Sequence, residues 1–253
     1  MRVALVAHRV TLDRDENLAG VLEAAAGAAA QGAELVLFPE AALTGLMNND
    51  DPGHDLPLGV TVPGPEADRL AAAARSNGVY LGIGLLEREE RPEGAVLYDS
   101  AFLFDPAGRI VLKYRRISPG WHGRRADPRV YRAGTEVPAV RTPLGTVSFL
   151  ICGDLFDDRL LGLVRDLRPD WLLLPYERCF DDFSYDQRRW DRYVAWRYAR
   201  RARVAGVPLL MAGSVISPEL GGGAFGGAMA VSAEGRILAS LPLGRVGTLA
   251  VDL

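Results

Sequence analysis

Three side chains with complementary chemistry stand at the ends of apolar segments. One apolar run ends at Cys152, a second ends at Glu40, and a third segment runs into Lys113-Tyr-Arg-Arg116. A thiolate is a strong nucleophile, a carboxylate in a dry site acts as a general base, and a fixed cation stabilises the oxyanion of a tetrahedral intermediate. Taken alone, the Cys152 stretch is more typical of a core strand that carries an incidental thiol. The chemistry therefore depends on whether the fold brings the three groups together.

Predicted strands and helices alternate along the chain and would place these groups at strand ends. Short apolar or β-branched runs indicate buried strands, and apolar residues at helical spacing with terminal caps indicate helices. Strands alternate with helices at the start of the chain, hairpins follow, and the alternation resumes after Cys152. This order predicts a largely covered sheet in one domain, residues 1–253. Charged residues at 87–94 predict a turn, and loops are expected over 41–62 and 117–141. The predicted strands are 3–7, 35–38, 79–84, 96–104, 109–115, 147–151, 171–175, 207–212, 229–232, 236–241 and 248–251, and the predicted helices are 12–31, 66–77, 160–167 and 186–205.

Length, charge and composition exclude several classes of protein. The 253 residues are ample for a core, and 49% hydrophobic with 24% charged residues is an ordinary globular balance. The net charge of -3 leaves no basic surplus for nucleic acid. The arginine-rich segment 188–203 is interleaved with aspartate and aromatic residues, so we expect a packed or dimer-forming helix and a homodimer or higher homo-oligomer. The glycine-rich segment 221–227 lacks the strand–loop–helix context of a phosphate-binding loop.

Cysteine, histidine and hydropathy patterns bear on compartment and cofactors. Two cysteines, Cys152 and Cys179, make no disulfide framework and suggest a reducing compartment. The three histidines lie far apart, and no Cys/His cluster has zinc spacing, so we expect no metal site. The N-terminus turns polar too soon for a signal peptide, and no window holds the roughly 20 apolar residues of a membrane span. We therefore expect a cytoplasmic protein without a membrane partner.

Three short motifs contain the candidate residues and follow one another in a set order. Leu35-Val-Leu-Phe-Pro-Glu40 comes first, Lys113-Tyr-Arg-Arg116 follows the segments Leu97-Tyr-Asp-Ser100 and Asp105-Pro-Ala-Gly108, and Ile151-Cys-Gly-Asp154 comes last. In this order they resemble the glutamate, lysine and cysteine motifs of the nitrilase superfamily, the carbon–nitrogen hydrolases. Each motif alone is weak, but the resemblance extends over nearly the whole chain.

The resemblance implies a fold and a reaction. The fold would be a four-layer α-β-β-α sandwich, and the site a glutamate–lysine–cysteine triad without a metal or organic cofactor. Cys152 would attack an amide or nitrile carbon, Glu40 would act as the base, ammonia or an amine would leave, and water would resolve the thioester. A small amide is the expected substrate, because amide hydrolysis is the commoner reaction among such relatives.

Two positions depart from the family pattern. The triad lysine closes a Tyr-Arg-Lys sequence in the family, and Arg116 stands there in this chain. Lys113 lies three residues earlier, which on an extended strand puts it on the opposite face unless the strand bulges. Asp127 stands where the family often has a second glutamate before its aromatic-x-x-Gly step. Arginine supplies a cation but does not give up its proton, so it changes or removes any step that needs proton transfer there.

Three hypotheses follow for the function. The first is a cysteine-dependent amide hydrolase in which Arg116 takes the cation position, while Asp127, Tyr176 and Glu177 contribute to substrate binding. The second is a catalytically silent binding or interaction protein with the same fold. The third is acyl transfer, in which an amine rather than water receives the thioester. Three tests distinguish these hypotheses: the activity after Arg116→Lys, the thiol reactivity of Cys152, and a product screen with added amines.

Overall fold

Two arms of one twisted sheet form the centre of the molecule. A computed structural model describes residues 1–220 and 223–253. The strands are β1 (Arg2–Arg9), β2 (Leu35–Leu37), β3 (Val60–Thr61), β4 (Tyr80–Glu89), β5 (Val96–Phe104), β6 (Ile110–Arg115), β7 (Ala139–Thr142), β8 (Gly145–Phe149), β9 (Trp171–Tyr176), β10 (Leu209–Ile216), β11 (Ala224–Phe225), β12 (Ala228–Val231), β13 (Ile237–Leu241) and β14 (Gly247–Asp252). The helices are α1 (Arg14–Ala30), α2 (Pro52–Asp55), α3 (Pro65–Asn77), α4 (Asp158–Leu167), α5 (Gln187–Tyr193) and α6 (Ala195–Ala205).

The strand order divides the sheet into two halves of similar layout. The first arm runs β6-β5-β4-β2-β1-β14, and the second runs β7-β8-β9-β10-β12-β13. The central strands β1, β2 and β4 are parallel to one another, as are β8, β9 and β10. The arms join where His8 and Arg9 of β1 pair in parallel with Ser214 and Val215 of β10.

The two arms pack face to face through apolar side chains. The arms touch at Gly82 of β4, because a Cβ there would lie at 3.5 and 3.6 Å from the side chains of Phe149 and Leu173, which are ordinary contact distances. Phe149 and Leu173 belong to β8 and β9 of the second arm, and both are fully buried. The inner faces therefore interdigitate into a single dry layer.

Helices cover the outer face of each arm. Leu18 and Val21 of α1 and Leu70 of α3 pack on the first arm, and α4 and α6 pack on the second through residues such as Val164 and Ala202. These four layers confirm the predicted α-β-β-α sandwich. In the part of the chain that the structure describes, no helix combines the length and apolarity needed to cross a membrane.

Several predicted elements need correction. Strand β4 continues to Glu89, where a charged turn was expected, because Glu87 is buried in an ion pair with Lys113 and Arg115 of β6. The expected single helix over 186–205 is broken at Val194 (φ -119°), and Trp190 before the break packs against Tyr198 beyond it. The expected loop 41–62 contains α2 and β3. Residues 221 and 222 of the glycine-rich segment lie outside the described residues.

Candidate active site

Cys152 sits at a sharp turn after β8. Its φ is 45°, a left-handed value that non-glycine residues rarely adopt, and a 3₁₀ turn, Cys152–Phe156, begins there. The residue is 9% exposed, so it lies just beneath the surface. Such strain persists only where the surrounding structure imposes it, and it is concentrated at functional sites. The backbone here has the form of a nucleophile elbow.

Asp154 holds this turn against the neighbouring strand. Its carboxylate accepts hydrogen bonds from the Tyr114 hydroxyl (2.6 Å), the Ser118 amide (2.8 Å) and the Ile151 amide (3.3 Å). Asp154 is fully buried, so these hydrogen bonds satisfy its carboxylate oxygens away from water. The Cys152 turn is thereby fixed to the end of β6, where the candidate cation is located.

Glu40 follows β2 and is fully buried. The backbone at this point passes very close to β4, since a Cβ on Gly84 would lie 2.5 Å from the Cα of Glu40. Oε2 of Glu40 accepts the backbone amide of Glu177 at 2.6 Å, and Oε1 accepts Nη1 of Arg116 at 2.6 Å. Both carboxylate oxygens are therefore held by donors, which favours the ionised form.

Arg116 extends from Glu40 to the cysteine turn. Nη1 also donates to Oδ2 of Asp99 at 3.2 Å, and Nε donates to Oγ of Ser118 at 3.1 Å. Nη2 lies beside the backbone of Gly153, because a Cβ on Gly153 would be only 2.8 Å from it. The structure thus brings Glu40, Arg116 and Cys152 together.

Lys113 does not join this group. The pairing of β5 with β6 is regular from Lys113 to Arg115. The register shifts only between Leu103 and Phe104 of β5, which pair with Leu112 and Ile110, before Lys113 in the chain. No bulge therefore carries Lys113 to the face of Arg116, and its ammonium instead pairs with Glu87. The arginine, not the lysine, occupies the cation position.

Burial and neighbouring charges shift the ionisation of the central pair. Burial raises the pKa of Glu40 well above its ordinary value, Cys152 acts in the same direction, and Arg116 opposes both. Although burial alone would lower the pKa of Arg116, the charges of Glu40, Cys152 and Asp99 raise it further above its ordinary value. Arg116 therefore remains a permanent cation, while Glu40 is available as a base.

The segment after β9 forms the opposite wall. Sγ of Cys152 lies 3.4 Å from the carbonyl oxygen of Glu177, and the carboxylate of Glu177 accepts the Leu46 amide at 3.0 Å. Burial raises the pKa of Glu177 to about 8. Tyr176 points away into the core, where its hydroxyl donates to the carbonyl of Gly226 at 2.6 Å. Glu177 thus lines the site, while Tyr176 supports it from behind.

Asp127 lies apart from these contacts. It occupies a turn in which its carboxylate accepts the backbone amide of Arg129 at 2.9 Å and pairs with the exposed guanidinium of the same residue at 2.7 Å. In place of Asp127, the acid that the structure adds to the cluster is Asp99, which sequence reasoning missed. The available signal was the β5–β6 hairpin, whose register aligns Asp99 with Arg116, and the Arg116 amide donates to the Asp99 carbonyl at 2.8 Å.

No cluster for a metal ion is evident. Over residues 1–220 and 223–253, no group of three or more histidine, cysteine, aspartate or glutamate side chains is arranged to hold one. The chemistry available at this site is that of a thiol, a carboxyl group and a guanidinium.

Comparisons with known proteins show the family of the chain. The family model described as Carbon-nitrogen hydrolase matches residues 2–253. The bifunctional nitrilase/nitrile hydratase NIT4 of Oryza sativa subsp. japonica is 36% identical over 164 residues, which is 56% of this chain and 41% of that protein. Nitrilase 3 of Arabidopsis thaliana is 32% identical over 161 residues, 56% of this chain and 42% of that protein. The chain thus spans about two fifths of the length of these relatives.

Solved structures give a likeness over the whole chain. A variant of the amidase from Nesterenkonia sp. AN1 in complex with butyramide has a TM-score of 0.80 and 25% identity, covering 100% of this chain and 90% of that one. A further structure of an amidase from Nesterenkonia sp. has a TM-score of 0.78 at 25% identity with the same coverage. Together with the family match over residues 2–253, these findings establish that the chain belongs to the carbon-nitrogen hydrolase family of the nitrilase superfamily.

Proposed function

We propose that the protein hydrolyses the C–N bond of a small amide, with Cys152 as nucleophile and Glu40 as general base. The observation that carries this proposal is the buried Glu40–Arg116 pair beside the strained turn of Cys152. A base within a dry site and a fixed cation are what a thiol nucleophile needs to attack a carbonyl carbon.

In the first half of the reaction, Sγ of Cys152 bonds to the amide carbon and its proton passes to Glu40. The carbonyl oxygen becomes an oxyanion, which the guanidinium of Arg116 stabilises from the side of Nη2, near Gly153. Protonated Glu40 then gives its proton to the leaving nitrogen. The C–N bond breaks, ammonia or an amine departs, and a thioester to Cys152 remains.

In the second half, Glu40 takes a proton from water as the water oxygen attacks the thioester carbon. The C–S bond breaks, the proton returns to the sulfur, and a carboxylic acid leaves. Arg116 keeps its proton throughout, because a guanidinium does not release it at any relevant pH. Glu40 therefore carries each proton transfer, and Arg116 acts only through its charge and donors.

The amide is preferred to the nitrile because the full-length structural likeness is to amidases, whereas the matched nitrilases share only part of their length with this chain. A second function is favoured by one observation, the arginine in the cation position. On that reading the protein is a silent relative that binds a ligand or partner without turnover.

Release of ammonia from small aliphatic amides, with the matching nitriles in parallel, tests the proposal. Removal of the nucleophile in Cys152→Ala is expected to lower kcat by about 10⁴-fold or more. Cys179→Ser is the matched control, because Cys179 is the other, exposed thiol. A parent that releases no ammonia or carboxylic acid, together with hydrolysis created by Arg116→Lys, would establish the silent protein instead. Amide products formed only with an added amine would indicate acyl transfer.

A further inference from the structure

Two buried carboxyl groups face a single nitrogen of Arg116. Nη1 donates to Oε1 of Glu40 at 2.6 Å and to Oδ2 of Asp99 at 3.2 Å, and neither acid has any exposed side-chain surface. The two acids differ in the rest of their contacts. Glu40 has a second donor, the Glu177 amide, whereas Oδ1 of Asp99 is buried and has no hydrogen-bond partner among residues 1–220 and 223–253.

One guanidinium cannot balance two ionised carboxylates in this setting. Oε1 of Glu40 and Oδ2 of Asp99 lie 2.6 and 3.2 Å from the same nitrogen, so two negative charges would repel at short range away from water. Burial and the charge of Glu40 raise the pKa of Asp99 well above its ordinary value. A pair of this kind retains one proton between its members.

The other titratable groups around the pair do not supply a compensating charge. Tyr114 and Glu177 face Asp99 from β6 and from the end of β9, and both are neutral or negative. Cys152 faces Glu40, and Asp154 faces Arg116, which adds further acidic groups. Arg116 is thus the one cation among the described groups that act on Asp99.

We propose that Asp99 is a positioning residue that carries a proton on Oδ1 and directs it to the carboxylate of Glu40. The contacts decide between the two acids: Glu40 has a donor on each oxygen and is suited to be ionised, whereas the unpartnered Oδ1 of Asp99 is satisfied only when it bears a hydrogen. Because Asp99 is neutral, the positive charge of Arg116 remains available to interact with Glu40 and with the Cys152 turn.

This assignment has a consequence for the reaction, which rests on the proposed function. Loss of the Asp99 proton at high pH adds a negative charge beside Arg116, and that charge opposes the developing oxyanion. The rate of hydrolysis therefore falls at alkaline pH. Asparagine has the shape of protonated aspartic acid but cannot ionise, so Asp99→Asn removes this loss.

Infrared spectroscopy measures the proton without any need for turnover. The Glu177→Gln variant serves as the background, because Glu177 is the other neutral acid in the site. We expect a protonated-carboxyl band at neutral pH in Glu177→Gln that disappears in the double variant with Asp99→Asn. The proposal is overturned if Glu177→Gln shows no such band, a result that needs no variant at position 99. It is also overturned if the band persists in the double variant.

The pH profile of hydrolysis is the kinetic test, again in the Glu177→Gln background. We compare kcat/KM of the variant with Asp99→Asn and of the variant without it. The ratio of the first to the second is expected to rise about tenfold per pH unit over the alkaline range in which hydrolysis without Asp99→Asn declines. A ratio that is constant with pH means that Asp99 acts only in folding and overturns the positioning role. If the infrared band is present but no variant or parent releases ammonia, the protonated Asp99 stands and the hydrolase proposal fails.

Discussion

Adding one methyl group at Gly153 should disturb the cation of the site. Gly153→Ala places a Cβ 2.8 Å from Nη2 of Arg116, about 0.6 Å short of an ordinary contact of 3.4 Å. The backbone itself permits alanine, because Gly153 is not among the residues with positive φ. The conflict is therefore between the methyl group and the guanidinium.

The guanidinium has little freedom to move away. Nη1 is held at 2.6 Å by Glu40, and Nε is held at 3.1 Å by Ser118, so a shift of Nη2 must lengthen or bend these bonds. Overpacking of this size costs about 1–3 kcal/mol in the free energy of unfolding. Since misplacement by about 1 Å lowers rates by roughly 10²-fold, a shift of about 0.6 Å is expected to lower kcat/KM by about 10-fold.

Denaturant unfolding and amide hydrolysis are measured for Gly153→Ala in two backgrounds, the parent and Arg116→Lys. Lysine has no Nη2, so the nearest atom that remains for the methyl group is Oγ of Ser118 at 3.5 Å, an ordinary contact, and its cost should fall close to zero. The coupling between the two changes is then about 1–3 kcal/mol. Gly162→Ala in α4 is the matched control, because a Cβ there meets nothing within 4 Å, and it should stabilise the protein by about 0.5–1 kcal/mol.

Equal costs of Gly153→Ala in both backgrounds would refute the reasoning. That result would mean that the methyl group conflicts with something other than the guanidinium, and that Arg116 does not reach the Cys152 turn. A stabilising effect of Gly153→Ala in the parent would lead to the same conclusion.

Two further variants examine the walls of the site. Glu177→Gln should gain stability over the parent as pH rises from 4.5 to about 8, because the acid keeps its proton in the folded state and loses it on unfolding. The slope is below about 1.4 kcal/mol per pH unit, because Glu177 is partly exposed. Unfolding curves that keep the same difference at pH 5 and pH 8 would contradict this expectation. Asp127→Asn removes an exposed ion pair with Arg129, so it should leave the free energy of unfolding nearly unchanged and KM for amides unaltered. A clear rise in KM would return Asp127 to the substrate site.

Apolar periodicity predicted the strands and helices, whereas the four layers and the candidate site residues were implied by the resemblance to the nitrilase superfamily. Apolar runs at periods of 2 and 3.6 residues are local, so strands such as β2 and helices such as α3 were predicted within a few residues. Glu40 and Cys152 come directly after such runs, and strand ends are where a sheet collects side chains. The single domain over residues 1–253, the homo-oligomer and the cytoplasmic location stay predictions.

What the sequence could not predict depends on contacts between distant segments. Glu87 reads locally as part of a charged turn, yet ion pairs with two residues of β6 bury it within a strand. Asp99 reads as a polar residue in an apolar strand, and its importance arises only from the register that sets it beside Arg116. The same register excluded Lys113, since regular pairing kept it on the far face.

Arg116 is the point on which the hydrolase and the silent protein differ, and its surroundings favour the hydrolase. A buried guanidinium without compensating contacts costs several kcal/mol, so an arginine acquired in a decayed site should leave donors and carboxylates unmatched. Here Nη1 and Nε have acceptors, and Gly153 and Gly120 lack the side chains that Nη2 would meet at 2.8 and 3.0 Å. With a proton on Asp99, the single positive charge of Arg116 would be balanced by one ionised carboxylate, that of Glu40. The site therefore has the space, acceptors and charge balance for arginine, as expected if the cation still stabilises an oxyanion and Glu40 alone moves the protons.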